Sequence, residues 1–293
     1  MISNKDLELL EKALPHMEEK EKRKNLTLLK EYQKEMKKEV GVESFLDFIK
    51  YVYPGYIIGA HHRHLAEIFQ DIALGKKKRV VVNIAPRHGK SEMISYLAPA
   101  WFLGKYPAKK VIMASHTADL AVNFGRRVRN LVGSTPYKEI FPNVELQADS
   151  KSASRWGTNY NGEYFAIGVG GALAGRGADL FIIDDPHSEQ DAKQNRADVF
   201  LPAWEWFQSG PIQRLMPGGA IIVVMTRWSK LDLTGQIMDQ MTKNDEAEPW
   251  EIVEFPAILT DKKGQERALW PEFWELEELQ QKRSVLDVRY WNA

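Results

Sequence analysis

The feature that most constrains this chain's fold is a series of short apolar runs, rich in β-branched residues, that alternate with stretches of helical character. The runs are Arg79 to Ile84, Val111 to Ala114, Leu180 to Ile183 and Ala220 to Met225. Helices are predicted from Lys90 onward, over Ala118 to Val132 and over Leu233 to Met241. Continuous apolar strands joined by helices are typical of a parallel sheet covered on both faces. The sequence therefore predicts an α/β fold with a mainly parallel central sheet flanked by helices.

Segments on either side of these runs have other characters. The N-terminal part is rich in Lys, Glu and Leu, and it predicts one helix that ends at Pro15 and another over about Glu18 to Lys38. Helices joined by the turn Pro54-Gly55 are predicted between Phe45 and Gly75. A Gly-rich stretch further on predicts a hairpin around Tyr164 to Val169.

The composition is that of an ordinary globular protein, with 44% hydrophobic and 27% charged residues among 293. Cysteine is absent from the sequence, which excludes a disulfide scaffold and thiolate zinc sites. Basic and acidic residues balance at 40 each, which argues against a sequence-specific DNA-binding protein but is compatible with a motor that grips phosphates transiently. No apolar run approaches the roughly 20 residues that span a bilayer, and the N-terminus does not look like a secretory signal.

A phosphate-binding loop is predicted directly after the first apolar run. The segment Ala85-Pro86-Arg87-His88-Gly89-Lys90-Ser91 leads into a helix, so backbone N–H groups and the positive helix end would face phosphate oxygens. Gly89 would allow close approach, Lys90 would reach the β- and γ-phosphates, and Ser91 would hold Mg²⁺. The standard P-loop pattern has another glycine where this chain has Ile84. The expected nucleotide contacts are Pro86, Arg87, His88, Gly89, Lys90, Ser91 and Glu92.

The third apolar run ends in two adjacent carboxylates, Asp184 and Asp185. Like charges at a strand end are costly unless a cation or a catalytic task compensates for them. A P-loop enzyme needs carboxylates there to hold Mg²⁺ and to activate the attacking water. We therefore assign Asp184 to the metal together with Ser91, and Asp185 to water activation. The usual base is the longer glutamate, so Glu189 in the following loop is kept as the alternative base.

The fourth apolar run ends in Thr226 and Arg227. A polar side chain at a strand tip beside the phosphates can respond to the presence of the γ-phosphate, and this role is predicted for Thr226. Arg227 is a candidate for stabilising charge that develops in the transition state. The alternative interpretation is a strand that simply ends in polar residues.

Taken together, these segments resemble the N-terminal ATPase domain of the large terminase subunit of tailed bacteriophages. The similarity starts near Tyr53 and rests on Ala85 to Ser91, Gly175 to Asp179, Ile182 to Pro186, Thr226 to Trp228, and Asp232-Leu233. Terminases commonly lack the first glycine of the phosphate loop and carry an arginine within it. The residues Ile84 and Arg87 therefore fit this family.

The resemblance implies a RecA-like ASCE P-loop fold, ATP and Mg²⁺ as cofactors, and an ATPase that drives double-stranded viral DNA into a procapsid. The implied partners are non-specifically bound double-stranded DNA, the portal protein, the small terminase subunit and a homo-oligomeric ring, with a pentamer expected. No membrane partner is implied, and the expected location is the host cell cytoplasm. Two other functions stay open: another P-loop nucleic-acid translocase or helicase, and an ATP-binding scaffold with little hydrolysis.

The resemblance also implies roles for three arginines. Arg87 would contact the γ-phosphate in cis. Arg155 and Arg176 are candidates for an arginine finger that a neighbouring subunit inserts in trans. Such an arginine meets charge that develops only in the transition state.

Residues upstream of the phosphate loop hold the adenine in this family, and the candidates here are Tyr53, His61 and His64. Three histidines at positions 61, 62 and 64 also raise the question of zinc. A zinc site is not expected, because adjacent histidines are expected to point in different directions on a regular element.

The expected organisation is an N-terminal helical arm over residues 1–52, a P-loop ATPase core over residues 53–260 and a C-terminal linker region over residues 261–293. A helix is predicted near Trp274 to Arg283. Full-length large terminases continue into an RNase H-like nuclease domain, which these residues do not include. No nuclease activity is therefore expected from them.

Overall fold

The computed structural model of the chain describes residue 15 and residues 17–291. The helix predicted to end at Pro15 lies outside these residues. The α-helices are α1 (Glu19–Glu43), α2 (Phe45–Val52), α3 (Ala60–Ala73), α4 (Ala98–Lys105), α5 (Ala118–Val132), α6 (Thr135–Ile140), α7 (Glu189–Gln194), α8 (Ala197–Ser209), α9 (Leu233–Lys243), α10 (Leu276–Val285) and α11 (Val288–Trp291). The strands are β1 (Arg79–Ile84), β2 (Lys110–Ser115), β3 (Leu146–Lys151), β4 (Arg155–Thr158), β5 (Glu163–Gly168), β6 (Ala178–Asp184), β7 (Leu215–Met225), β8 (Glu251–Phe255), β9 (Ile258–Thr260) and β10 (Glu266–Ala268).

Eight strands form one sheet in the order β3-β4-β5-β2-β6-β7-β1-β8. The six strands from β5 to β8 in this order are parallel, whereas β3 and β4 form an antiparallel edge. The predicted α/β fold with a mainly parallel sheet is confirmed. The four strands predicted from apolar runs, β2, β6, β7 and β1, occupy the centre of the sheet, where both faces are covered.

Side chains along the central strands alternate between two hydrophobic layers, because successive residues of a strand point to opposite faces. On β1, Val80 and Val82 pack in one layer with residues of α3, α4 and α5. Val81 packs in the other layer with residues of α8 and α9. All three valines are fully buried, so the sheet is the middle layer of a three-layer fold.

The N-terminal helices pack onto this core. Helix α1 begins where the sequence predicts and runs beyond Lys38 to Glu43. It is fixed to α4 by the Trp101 indole, whose Nε1 donates to the Gly41 carbonyl at 3.1 Å. Helix α2 is capped by Ser44, whose side chain accepts from the Asp47 N–H, and its apolar residues belong to the same cluster as those of α3 and α4.

The helix that follows the phosphate loop contains a π-helical turn, Glu92–Leu97, before it continues as α4. The helix itself was predicted from Lys90, but the turn was not. Pro99 lacks an N–H and disrupts regular i→i−4 bonding in this stretch. The turn contains Ser95, which reaches the strand β6 as described below.

Strand β8 and the small two-stranded sheet were not predicted. The sequence of β8 (Glu251–Phe255) contains two glutamates and its side chains are exposed or half-buried, so it has no continuous apolar run. The predicted hairpin around Tyr164 is present as β4 and β5. The predicted helix near Trp274 is α10, which starts at Leu276. Within the described part of the chain, no helix has the length and apolar character needed to cross a membrane.

Candidate active site

The candidate site lies at the edge of the sheet where β1, β6 and β7 end. These strands are neighbours and run parallel, so the segments that follow them meet at one edge. The phosphate loop follows β1, Asp184 is the last residue of β6, and Thr226 follows β7. The polar side chains predicted from separate runs are therefore brought together by the strand order.

A buried cation and a carboxylate form the first part of the site. The Lys90 ammonium lies 3.0 Å from Asp185 Oδ2 and donates to Thr226 Oγ1 at 3.1 Å. The backbone N–H of Thr226 donates to Asp185 Oδ1 at 2.8 Å. Lys90 is only 7% exposed. The loop and the acidic pair thus converge, as the sequence predicts, and Thr226 joins them.

Two hydroxyl groups donate to the carboxylate of Asp184, the other member of the acidic pair. Ser91 Oγ donates to Asp184 Oδ1 at 3.0 Å and Ser95 Oγ donates to Asp184 Oδ2 at 2.8 Å. Burial, followed by the nearby charge of Asp185, raises the pKa of Asp184 well above its ordinary range. A carboxylate with hydroxyl neighbours is a hard-oxygen donor set, the kind that Mg²⁺ prefers. Ser91 and Asp184 are therefore suited to hold Mg²⁺.

The backbone of the site adopts conformations that side chains rarely take. Arg87, Gly89 and Asp185 have φ of +63°, +81° and +41°, in the left-handed region that is unfavourable for residues other than glycine. Gly89 is also required by space, since a Cβ there would lie 2.3 Å from His62 Nε2. A loop with alternating left-handed residues turns successive N–H groups toward one concave surface, which suits an anion.

An open cleft of about 1170 Å³ lies in front of these groups. The predicted site residues that line it are Tyr53, Pro86, Arg87, Gly89, Lys90, Ser91, Glu92, Asp185, Glu189 and Thr226. Tyr53 is 40% exposed. Glu92 pairs with Arg127 at 2.5 Å, and Glu189 is an exposed residue at the start of α7. The cleft has room for a nucleotide with its phosphates against the loop.

The comparison with protein families decides the family of the chain. Residues 81–287 match the family model described as terminase large subunit, T4likevirus-type, N-terminal. The chain belongs to this terminase family. No curated protein sequence matches this terminase chain.

The fold is shared with a solved terminase structure. The large terminase of bacteriophage HK97 aligns with a TM-score of 0.56 at 14% identity, over 84% of this chain and 52% of that one. The large terminase ATPase domain of Thermus phage P74-26 aligns with a TM-score of 0.44 at 16% identity, over 75% of this chain and 89% of that one. The large terminase of thermophilic bacteriophage D6E in complex with ATP-gamma-S gives 0.40 at 13% identity, over 76% and 50%. The terminase chain has the RecA-like fold and spans about half the length of the HK97 protein.

Several residues predicted for the terminase site lie outside the cleft lining. His61 is 2% exposed behind the phosphate loop, where its Nε2 lies 3.1 Å from the His88 carbonyl oxygen. His64 is exposed, and its ring contacts that of Phe255. His88 is buried, and its Nδ1 lies 2.9 Å from the Pro86 carbonyl oxygen.

Arg227 also points away from the cleft. Its guanidinium donates to the buried carboxylate of Asp232 and to the Ser229 carbonyl. It lines a separate cavity of about 450 Å³ between the end of β8 and the C-terminal helices. The Asp232 carboxylate, which also caps α9, therefore competes with any phosphate for this arginine.

The two candidate trans fingers of the terminase lie at the opposite edge of the sheet. Arg155 and Arg176 both pair with Glu163, the first residue of β5, at 3.1 and 2.7 Å. The Arg176 guanidinium also stacks 3.8 Å above the Phe165 ring. Neither side chain lines the cleft.

Sequence reasoning missed some residues at the site. Ser95 lies one helical turn after Ser91, and this spacing could have revealed it. Tyr56 and Phe273 line the cleft, and Phe273 comes from the predicted linker region. No local pattern marks an aromatic residue so distant in sequence as part of the site.

Proposed function

We propose that this chain is the ATP-hydrolysing motor domain that drives double-stranded viral DNA into a procapsid. The observation that carries the proposal is the convergence of the phosphate loop with the acidic pair. Ser91 lies within hydrogen-bond distance of Asp184, and Lys90 lies within ion-pair distance of Asp185. These are the groups that bind and hydrolyse a nucleoside triphosphate in P-loop enzymes. Membership of the terminase family supports the coupling to DNA.

In this proposal the loop amides and Lys90 bind the β- and γ-phosphates of ATP. Lys90 is buried and its charge is held at the sheet edge by Asp185 and Thr226, so ATP would find it already oriented. Ser91 and Asp184 would hold Mg²⁺, which neutralises phosphate charge when bound. Arg87 is exposed at the rim of the cleft and is proposed to contact the γ-phosphate. Tyr53 is proposed to pack against the adenine.

Asp185 is the proposed base, because its carboxylate is fixed by two neighbours. The Thr226 N–H and the Lys90 ammonium hold one oxygen each. Thr226 thus contacts both the base and the phosphate-binding lysine, which supports its predicted role in sensing the γ-phosphate. Glu189 stays the alternative, since it lines the same cleft and is exposed at the start of α7.

The matched pair Asp185→Asn and Glu189→Gln separates these two bases. Asp185→Asn is expected to lower ATP turnover about 100-fold or more while Mg·ATP still binds, because it removes the proton acceptor and keeps the size of the side chain. Glu189→Gln is expected to change turnover only a few-fold. Steady-state phosphate release and calorimetric ATP binding give the two quantities. The opposite pattern would transfer the base to Glu189.

The proposed DNA-bound form is a homo-oligomeric ring at the portal, with the small terminase subunit as a further partner. A finger supplied in trans requires the ring, so turnover per subunit is expected to rise with protein concentration and with added double-stranded DNA. A turnover per subunit that stays constant at all protein concentrations and does not respond to DNA would contradict the ring-coupled motor.

A scaffold that binds ATP and hardly hydrolyses it is the second candidate. The observation that favours it is that Asp185 stands where the usual base is the longer glutamate, and that both of its carboxylate oxygens already have partners in Lys90 and Thr226. ATP turnover in the presence of DNA, measured above the background of Lys90→Ala, distinguishes the motor from the scaffold. Strand separation of a duplex under the same conditions would instead indicate a helicase.

A further inference from the structure

Three successive carbonyls of the phosphate loop are bound by side chains from outside the loop. Trp274 Nε1 donates to the Arg87 carbonyl at 3.4 Å. His61 Nε2 and His62 Nε2 both lie 3.1 Å from the His88 carbonyl oxygen. The Tyr56 hydroxyl donates to the Gly89 carbonyl at 3.4 Å. We call these four side chains, Tyr56, His61, His62 and Trp274, the carbonyl clamp.

The two imidazoles are the strongest part of the carbonyl clamp. A carbonyl oxygen only accepts, so both Nε2 atoms must carry hydrogen, and its two lone pairs can serve both. For His62 this tautomer is fixed independently, since the Gly59 N–H donates to Nδ1 at 3.1 Å. Both rings are buried. The contacts at 3.4 Å are near the limit for a hydrogen bond and are weaker.

Both imidazoles are neutral at neutral pH. Burial lowers the pKa of His61 to about 4 and that of His62 to about 3. A neutral imidazole has one donor nitrogen, and in each ring that nitrogen is directed at the loop. The expectation that adjacent histidines on α3 point in different directions is wrong here. Their rings lie 3.8 Å apart and share one acceptor.

Holding these carbonyls fixes the direction of the loop amides. In a trans peptide the C=O and the N–H of the next residue point to opposite sides, and all described peptide bonds are trans. Tying down the carbonyl of His88 therefore turns the N–H of Gly89 away from the imidazoles. His62 also packs so closely on Gly89 that any Cβ would clash, so the loop is held from behind at this point.

We propose that His61 and His62, assisted by Tyr56 and Trp274, are positioning residues that aim the phosphate-loop amides at the nucleotide. This loop has Ile84, buried in the core, at the position where the standard pattern has its first glycine. The carbonyl clamp holds the loop, from outside, in the conformation that a first glycine would otherwise allow. The inference rests on the proposed function, because it assumes that the loop binds ATP.

The test compares substitutions that remove the donor with substitutions that keep it. Leucine fills a volume similar to that of histidine without an N–H, whereas glutamine can place an N–H near the position of Nε2. The full chain is prepared with leucine or glutamine at position 61, at position 62, and at both. Arg63→Ala is the matched control, since this neighbour on α3 is exposed. Calorimetry measures the affinity for Mg·ATP, and thermal unfolding reports the fold of each variant.

We expect His62→Leu to weaken Mg·ATP binding about tenfold and the double leucine variant about 100-fold, with the double glutamine variant within about threefold of wild type. Arg63→Ala should bind as wild type does. Equal affinity of the leucine variants and wild type would overturn the clamp, as would glutamine variants that bind as weakly as leucine variants. Should the double leucine variant not fold, the single variants decide. A wild-type chain that does not bind Mg·ATP would contradict the proposed function itself, which is a different result.

Discussion

Strand β6 carries an aspartate near each end, and the two lie in opposite environments. Asp179, near the amino end, pairs with Lys109 at 2.7 Å and accepts the Lys110 N–H at 2.8 Å. Asp184, at the carboxyl end, is 1% exposed and has the hydroxyls of Ser91 and Ser95 as its partners. The first carboxylate is neutralised by the protein, whereas the second has a neighbouring like charge in Asp185.

The difference between the two aspartates shows that the unfavourable interactions of this fold lie at one edge of the sheet. At the carboxyl edge the chain buries charges and holds Arg87 and Asp185 at positive φ, arrangements that cost stability. At the amino edge the charged groups form partly exposed pairs, each contributing little. A bound cation and triphosphate would compensate for the buried charges at the carboxyl edge, whereas the charges at the amino edge are already paired. The comparison therefore points to the carboxyl edge as the functional one.

The largest effect is expected from Lys90→Ala at the carboxyl edge. It removes the charge that meets the β- and γ-phosphates, and it leaves Asp185 without its cation. We expect Mg·ATP affinity to fall at least about 100-fold and turnover to reach background. Calorimetry and phosphate release measure both. Persistent hydrolysis by a folded variant would move the site elsewhere and remove the basis of the comparison.

An intermediate effect is expected from Asp184→Asn, which should raise the stability of the chain and lower its affinity for Mg·ATP. The pKa of Asp184 is raised to about 7, chiefly by burial, so ionising this carboxyl group in the folded chain costs stability. The unfolded chain ionises near the ordinary value, so the cost starts above that value and is complete above about pH 7. Asparagine cannot ionise. We expect the melting temperature without Mg²⁺ to rise by a few degrees at pH 8 and by less at pH 5, while Mg·ATP affinity falls about tenfold.

Thermal unfolding at the two pH values, paired with calorimetry, checks this prediction. A variant that is less stable than wild type at pH 8 would show that the buried carboxylate is not a cost. A variant with unchanged Mg·ATP affinity would remove Asp184 from the metal site.

The smallest effect is expected from Asp179→Asn, the same substitution near the other end of the same strand. It breaks the ion pair with Lys109, which is itself half exposed. We expect a loss of stability of about 1 kcal/mol or less and no change in Mg·ATP affinity. Denaturant unfolding and calorimetry measure these values. A large loss of affinity would mean that the two edges are not functionally distinct.

The centre of the fold and the core of the site could be predicted because both depend on local patterns. Strands buried on two faces read as continuous apolar runs, and the end of such a run locates Asp184 and Thr226 at one edge. Edge strand β8 could not be predicted in this way, because its half-exposed face tolerates glutamate. Arg227 turns toward Asp232 in the same loop, and no periodic pattern in the sequence marks the loop conformation that brings them together.

The residues behind the phosphate loop could not be predicted, because their positions depend on contacts between segments that are distant in the sequence. The imidazole of His62 and the indole of Trp274 meet the phosphate loop only after the chain has folded. The C-terminal segment, predicted as a linker region, packs a small cluster of its own and delivers aromatic residues to the loop. No periodicity or motif announces such contacts.

The most direct test of the central claim is a double-mutant cycle between Ser91→Ala and Asp184→Asn, read as affinity for ATP in the presence of Mg²⁺ and again with Mg²⁺ chelated. If both side chains hold one metal on one triphosphate, removing the second after the first costs little more, and this coupling disappears when Mg²⁺ is chelated. Additive losses of affinity, unchanged by chelation, would show that the loop and the acidic pair act on separate ligands and would contradict the account.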